Sequence, residues 1–563
     1  MIEFPPHLDI LGLVFFTALF LSLFIVPITT VLARKIGAVD IPKDRSSHLA
    51  PITRLGGLGI ATSLILSCLM FLPFNTFAGA FLVGLSVIVV TGLIDDVADV
   101  GPRWKLVGQI IAATSFVLLG GGSLENLGDF LGRDEIRLNL LAVPFTIFCM
   151  VGGMNAFNLS DGLDGLAGGL AAIALVFFAY FSWYTGASDL VLISMALLGA
   201  VMGFLRYNSY PAKLFMGDCG SLTLGYVLAA LLISGSQRET LHPIPLVTWV
   251  MVVALPLQDT LLVMVRRVYY GHNPFLPDRT HLHHRLMTLG LAHPSVVAVI
   301  YAAMAIFGIL ALALHDYPDW YTFSVLCLIG IILFVSVAGL QYLGFAFNAE
   351  QQKQPYYTIR QWPIFRSISR WMRGNVVNVS VLLLMLLCLP ALFFPVPEFN
   401  RKEALTLFML SWVVLFYGFH RFQGYRGMLH GSIYVSIFTL FFLYNLAAES
   451  GRHWPSIYLT AISALAVTWV IAKIIFRRKL VILSTSGFEL LMLLLSWFMP
   501  FVLFQELSLP ARVVDAARHA CLQVLPFMLA AKIYFGTQPQ ANKWVVGILS
   551  GTMVLIALRG WAG

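Results

Sequence analysis

Residues 154–169 read MNAFNLSDGLDGLAGG, and the run lies between two apolar stretches, residues 138–151 and 170–181. Amides (Asn155, Asn158), acids (Asp161, Asp164) and glycines (Gly162, Gly165, Gly168, Gly169) therefore crowd the place where one membrane helix gives way to the next. A carboxylate at a membrane boundary is costly unless it faces a wet site, so its presence is a functional hypothesis by default. Glycines remove side chains where a backbone must come close to something else. If the segment is helical, Asp161 and Asp164 share a face, three residues apart. Acid, amide and glycine together point to a cation and a polar ligand such as a nucleotide. The plain alternative is a solvated loop.

Around this stretch the chain is 59% hydrophobic and only 11% charged. Apolar runs recur from residue 8 to residue 558, each of about 20 residues, the length that crosses a hydrocarbon core of ~30 Å. The expected fold is all-α, a polytopic integral membrane helix bundle of about eighteen transmembrane helices. Residues 8–32 form too long an apolar run for a cleaved signal and lack a basic leader, so they are expected to be the first span. The net charge of +8 comes from Lys and Arg concentrated in alternate loops, residues 34–54, 266–285, 353–373 and 477–479. The positive-inside rule assigns those loops to the cytoplasm and the N-terminus to the outside. The basic excess thus reports topology and anionic lipid. Without interleaved aromatics it does not suggest nucleic acid. The six cysteines are scattered without a CxxC and five lie inside apolar runs, so neither a disulfide framework nor a zinc knuckle is implied.

Five loops on the expected cytoplasmic side carry chemistry. The first, with Arg45, His48 and Arg54 among turn-forming prolines and glycines, offers cations for a phosphate. Simple anchoring to anionic lipid is its alternative. Next come Asp95 and Asp96, at the end of an apolar run. Adjacent acids repel, so a cation nearby is the simplest reason to keep them. Mg²⁺ suits them, with Mn²⁺ as the alternative ion, because it takes one or two carboxylates and completes its shell with water and phosphates. Lys105 follows, facing either a phosphate or lipid head groups. The third loop is the opening stretch. In the fourth region Asp218 lies between Gly217 and Gly220 at the start of an apolar helix, a helix beginning suited to a metal-bound phosphate. Phe215 beside it can stack on a base. Gln258 and Asp259, inside an expected span over residues 244–265, read as buried polar groups with a partner. His281, His283, His284 and Arg285 then form the densest histidine group. No HExxH accompanies them, so a diphosphate-binding or proton-moving role fits better than zinc.

In order, these regions contain IDD, NAFNLSDGLDGLAGG, PAKLFMGDCGSL and DRTHLHHRL. Together they resemble the bacterial polyprenyl-phosphate N-acetylhexosamine-1-phosphate transferases, glycosyltransferase family 4. That superfamily includes enzymes that start enterobacterial common antigen, O-antigen and wall teichoic acid, and more distantly the MurNAc-pentapeptide translocase. HxHHR and the DxP…RSSH…GG loop resemble the N-acetylglucosamine branch. The resemblance spans roughly residues 8–346. It implies transfer of a sugar 1-phosphate from a UDP-sugar to undecaprenyl phosphate with release of UMP, at the cytoplasmic face of the bacterial inner membrane. It also implies roles. Asp95, Asp96 and Asp218 are the catalytic acids and, with Asp161, the Mg²⁺ ligands. Asn155, Asn158, Asp161, Asp164 and Asn208 line the nucleotide and metal site, and Phe215 faces uracil. His281, His283, His284 and Arg285 lie near the diphosphate and sugar, with Lys105, Arg45 and His48 as further substrate contacts. Cys219 and Ser160 depart from the usual residues. Direct in-line attack, with Asp95 or Asp96 orienting the acceptor, is favoured over a covalent aspartyl-phosphate.

The rival from another class is a flippase of lipid-linked sugars, whose signs are mid-span charges and broken helices. The translocase of MurNAc-pentapeptide is the nearest enzymatic rival. Residues 1–346 are expected to form the transferase module with about eleven spans. Residues 347–374 form a basic interfacial connector, and residues 375–563 a second multi-span module read as an accessory scaffold or as a second activity. A homodimer or downstream glycosyltransferases are the further partners considered.

Overall fold

The computed structural model describes residues 8–40, 51–130, 132–240, 242–271 and 280–344. Beyond these it describes only parts of the chain, chiefly 382–393, 439–445, 454–476 and 542–562. The chain divides into two compact units, Met1–Phe345 and Ala346–Gly563. In the first unit the helices are α1 (Leu8–Ile36), α2 (Gly56–Phe71), α3 (Thr76–Ala98), α4 (Pro102–Phe116), α5 (Ala142–Ser160), α6 (Leu166–Tyr184) and α7 (Ser188–Asn208). They continue as α8 (Gly217–Gln237), α9 (Leu246–Val252), α10 (Ala254–Tyr269), α11 (Leu282–Thr288), α12 (His293–Leu314) and α13 (Asp319–Tyr342). Two short strands, β1 (Val39–Asp40) and β2 (Ile52–Thr53), pair antiparallel between α1 and α2.

Among the described residues nine helices are long and apolar enough to cross a membrane, or ten if α9 and α10 count as one span. All lie in the first unit; much of the sequence expected to supply spans beyond residue 375 falls outside the described residues. Helix α2, with 16 residues, rises only ~24 Å. One expectation changes. The straight span over residues 244–265 is instead bent by 84° between α9 and α10. Pro256 accounts for the break: it has no N–H to give the carbonyl of Val252, and it is tolerated only in the first turn of a new helix.

In a bilayer no hydrophobic force drives helix against helix, so packing rests on small residues and a few hydrogen bonds. That rule explains the middle of the bundle. Helix α8 is approached by three neighbours through glycine. A Cβ on Gly57 of α2 would lie 2.1 Å from the Gly220 nitrogen, and one on Gly92 of α3 would lie 2.4 Å from the Cys219 Cα. A Cβ on Gly225 would lie 2.5 Å from the Cα of Met154 in α5. Helices α1 and α7 meet the same way at Gly199 and Gly203, with Ser22 Oγ donating to the Ala200 carbonyl at 2.7 Å. Helices α6 and α7 are accordingly 89% buried, whereas α1 and α13 bury only 22% and turn apolar faces outward.

The far end of the bundle is closed by polar clasps. Gln237 accepts the N–H groups of Glu125 and Asn126 at 2.9 and 3.0 Å, and Arg238 grips both oxygens of Asp189. In the second unit the described helices are α14 (Pro390–Phe393), α15 (Trp454–Phe476) and α16 (Asn542–Ala562). Arg559 of α16 donates to the Ala391 carbonyl, and Gln523 joins Asn445, Thr460 and Ser463 in one hydrogen-bonded group. The connector expected over residues 347–374 lies, apart from two positions, outside the described residues.

Gly57→Ala is expected to destabilise the purified protein by about 1–3 kcal/mol, because the new methyl group meets backbone that cannot move aside. Gly79→Ala, where a Cβ meets nothing within 4 Å, is the control in thermal melts. Equal melting of the two variants would show that the α2–α8 contact is not close.

Candidate active site

Helix α3 ends one turn past Asp95 and Asp96, and α8 begins at Gly217. The two ends are joined by Asp96, whose Oδ1 accepts the N–H of Asp218 at 2.7 Å and whose Oδ2 accepts that of Cys219 at 3.0 Å. These are two of the donors that an α-helix leaves unpaired in its first turn, and an anion there also meets the favourable end of the helix dipole. Gly217 permits the contact. It has φ +73°, and a Cβ there would lie 2.6 Å from both Asp96 oxygens and 2.1 Å from the Arg54 carbonyl. The segment before α8 is further pinned to the residues before α2. Phe215 N–H donates to the Thr53 carbonyl at 2.8 Å, and Gly57 N–H donates to the Met216 carbonyl at 2.7 Å.

Asp218 is thereby presented to a polar group from three other elements. Lys105 Nζ, in the first turn of α4, lies 2.7 Å from Asp218 Oδ1 and 3.5 Å from Asp95 Oδ2. It also donates to Asn158 Oδ1 at 3.3 Å, while Asn158 Nδ2 donates to Asp218 and to Ser221 Oγ. The acids expected to converge do so. Asp96, Asp161 and Asp218 line one cavity of about 470 Å³ at this end of the bundle, with Asn158, Asp164, Asn208 and Phe215. Asp95 is buried beside it, behind Lys105.

The opening stretch is not helical throughout. Helix α5 stops at Ser160, and residues 161–165 form a loop, so Asp161 and Asp164 do not share a helical face as expected. Several bonds hold the loop. Asn208 Oδ1 accepts the Gly165 N–H at 2.9 Å, Tyr301 donates to the Gly165 carbonyl, and Asp164 Oδ2 accepts the Ala212 N–H at 3.0 Å. Withdrawal from water, reinforced by the carboxylates of Asp218, Asp96 and Asp164, pushes Asp161 up to about 7. A concentration of negative charge of this kind is relieved by a cation.

Other expected contacts stand farther back. Asn155 exchanges two amide hydrogen bonds with Gln109, at 2.9 and 3.2 Å, and does not line the cavity. His281 is held by Asp259, Nδ1 to Oδ2 3.0 Å, and the same carboxylate accepts the Leu282 N–H, so Asp259 has the partner expected for it. Gln258 likewise donates to the Leu326 carbonyl at 3.1 Å. The rings of His281, His283 and His284 follow one another at 6.0 and 4.2 Å. Of these, His283 reaches the loop: a Cβ on Gly162 would lie 2.4 Å from its Nε2. Burial, then its histidine neighbours, pushes His283 down to about 3, so the ring is neutral and suits packing or accepting a hydrogen bond rather than taking up a proton or holding an anion by charge. Arg285 Nε donates to Gln341 at 3.0 Å, and neither it nor the three histidines line the cavity. Arg45 and His48 lie outside the described residues.

Among the titratable lining residues, Asp40 and His293 were not selected from the sequence. Arg54 and Asp40 are ion-paired across the strand pair. The loop's basic character flagged Arg54, but no pattern flags Asp40, and a histidine before a proline reads as an ordinary helix start.

A hard-oxygen donor set fits magnesium. Among the described residues no three acids, histidines or cysteines close around one point as a complete metal cage. Mg²⁺ does not need one, since it binds through one or two carboxylates plus water and substrate phosphates. Asp161 and Asp218, which line the same cavity, could hold such an ion, with the second lone pairs of Asp96 available.

Comparison with known proteins identifies the family. The family described as Glycosyl transferase family 4 matches residues 78–236. A probable undecaprenyl-phosphate N-acetylglucosaminyl 1-phosphate transferase of Bacillus subtilis (strain 168) is 35% identical over 325 residues, 57% of this chain and 89% of that protein. An undecaprenyl-phosphate alpha-N-acetylglucosaminyl 1-phosphate transferase of Escherichia coli O157:H7 is 30% identical over 333 residues, 58% of this chain and 89% of that protein. The similarity therefore takes in nearly the whole of such relatives, and the residues matched by the family include Asp95, Asp96, Asp161 and Asp218; the chain belongs to glycosyl transferase family 4.

Proposed function

We propose that this protein transfers an N-acetylhexosamine 1-phosphate, most simply N-acetylglucosamine 1-phosphate, from its UDP derivative to undecaprenyl phosphate, with release of UMP. The reading brings to this chain what the names of the Bacillus and Escherichia relatives say of those proteins. The observation that carries it is the meeting of Asp96 from the end of α3, Asp161 from the 161–165 loop and Asp218 from the start of α8 in one cavity at a helix-end face of a membrane bundle. A water-borne diphosphate can meet a membrane-borne phosphate in such a place. The basic loops assign that face to the cytoplasm by the positive-inside rule. The product is the first lipid-linked sugar of a cell-envelope polysaccharide.

In this reading an oxygen of the lipid phosphate attacks the sugar-bearing phosphorus of the donor, and the bond to the UMP oxygen breaks. Magnesium, when bound, screens the two anions and stabilises charge on departing UMP. Asp161 and Asp218 would hold it. Lys105 and Asn158 fix the Asp218 carboxylate in one orientation. Phe215 offers an aromatic face at the cavity wall for the base. Asp96 acts first as a positioning residue, since both its oxygens are engaged by the backbone of α8. That engagement supports direct in-line attack over an aspartyl-phosphate formed on Asp96.

The deciding experiment gives purified protein polyprenyl phosphate, Mg²⁺ and a panel of UDP-sugars and reads released UMP. UDP-GlcNAc is expected to outrank UDP-MurNAc-pentapeptide, and the reverse ranking would move the protein to the translocase branch. In the same assay Asp218→Asn is expected to reduce turnover by ~10²–10³-fold while leaving the melting temperature near that of the unaltered protein. Asp96→Asn is expected to lose both activity and thermal stability, because it also removes the anion that caps α8. An Asp96→Asn protein that melts normally would contradict the positioning role.

A pH dependence follows from Asp161. Its folded value of about 7 exceeds the ordinary 3.8, so between these values the folded state holds a proton that the unfolded state has lost. Stability of the magnesium-free protein therefore falls as pH rises through this window. A cation that replaces the proton reverses the loss, so the rise in melting temperature on adding Mg²⁺ is expected to be small at pH 6 and larger at pH 8. A magnesium effect equal at both values would remove Asp161 from the ion's surroundings.

A further inference from the structure

His293 opens α12, and it touches both of the loops that build the cavity. Its Nε2 accepts the backbone N–H of Asp164 at 3.1 Å. Its ring lies on that of Tyr210, with centroids 4.7 Å apart and planes inclined by 28°. It also lines the cavity that Asp161 and Asp218 share. The Asp164 carboxylate, in turn, accepts the N–H of Ala212. The loop of residues 161–165 and the stretch of residues 209–216 that delivers Phe215 are thus both referred to one imidazole on a third element. To accept at Nε2 a neutral ring carries its proton on Nδ1, and Nδ1 is buried without a partner among the described residues. A buried polar atom left unpaired is unfavourable and calls for a reason. Here the reason is that the ring's place is dictated by its two other contacts.

We infer that His293 is a positioning residue for the sugar-nucleotide donor: it sets the 161–165 loop against the 209–216 stretch and so fixes the opening that receives a nucleoside diphosphate. This rests on the transferase reading above. The ring acts through backbone and through Tyr210, on a loop that must already be ordered when the donor arrives. Its loss therefore weakens donor binding in the ground state and leaves the chemical step largely intact, which raises KM and spares kcat.

The test uses the purified full-length protein with saturating polyprenyl phosphate and Mg²⁺ and titrates UDP-GlcNAc. His293→Phe keeps a ring on Tyr210 and removes the acceptor, whereas His293→Gln keeps an acceptor near the Nε2 position. Loss of one buried acceptor and the leftover unpaired amide is expected to raise KM about tenfold in His293→Phe, with kcat little changed. His293→Gln is expected to recover most of that loss. Calorimetry with UMP is expected to show the same ranking of affinities. An unchanged KM in His293→Phe would overturn the inference, as would equal loss of kcat in both variants with KM unmoved. If His293→Phe fails to fold, Tyr210→Leu carries the test, with a raised KM expected and an unaltered one overturning the inference. Failure of the unaltered protein to release UMP from any UDP-sugar sinks the transferase reading instead; an active parent with an indifferent His293→Phe sinks this inference alone.

Discussion

The carboxylate of Asp96 on the first amides of α8 is the constraint from which the rest of the site follows. It joins the end of one helix to the start of another that is distant in sequence, and it does so with both oxygens. Helix starts carry unpaired donors, and helix ends at a membrane surface need polar partners, so a single acid satisfies both demands. With α8 anchored in this way, Asp218 in its first turn has a defined direction. Lys105 and Asn158 then converge on it from α4 and α5. The site is therefore a property of helix ends brought together, with the bundle interior acting as the scaffold that holds them in register.

That scaffold works without charge. Where α8 meets α2, α3 and α5, the contacts run through glycine and backbone, and Tyr226 adds a hydrogen bond to the Phe81 carbonyl at 3.0 Å. Ionisable groups are kept to the two ends: the acid cluster and Lys105 at one, the Asp189–Arg238 pair at the other. This separation suits a protein whose middle lies in hydrocarbon. Among the described residues the bent helix pair, α9–α10, places Asp259 against His281.

Much of this was legible in the sequence, because an acid or amide inside a hydrophobic chain is an anomaly that burial alone cannot explain. Asp96, Asn158, Asp161, Asp164, Asn208, Phe215 and Asp218 were all recognisable on those grounds or by motif, and they share one cavity. What the residues could not convey was their partners. Asn155 and Asn208 look alike as amides beside the site, yet one is spent on Gln109 and the other on the 161–165 loop. The period between Asp161 and Asp164 suggested a helical face, but their carboxylates belong to a loop whose shape depends on Asn208, Tyr301 and His293, all remote in sequence. Pro256 lay inside a run read as one span, and the size of the turn it imposes depends on what α9 and α10 pack against. His293 had no local signal, since its role exists only when three elements meet.

The touch between Gly57 and Gly220 has a mechanical side. Two backbones in direct contact have no side chain between them to flex, so any displacement is passed on at full amplitude. Helix α8 cannot slide or roll without carrying the start of α2 and, through the Thr53 and Arg54 backbones, the β1–β2 pair along with it. The Arg54–Asp40 wall of the cavity and the Asp218 floor are in this sense one rigid jaw, and whatever adjusts the grip on a ligand has to come from the opposite side, where residues 161–165 hang from side-chain hydrogen bonds.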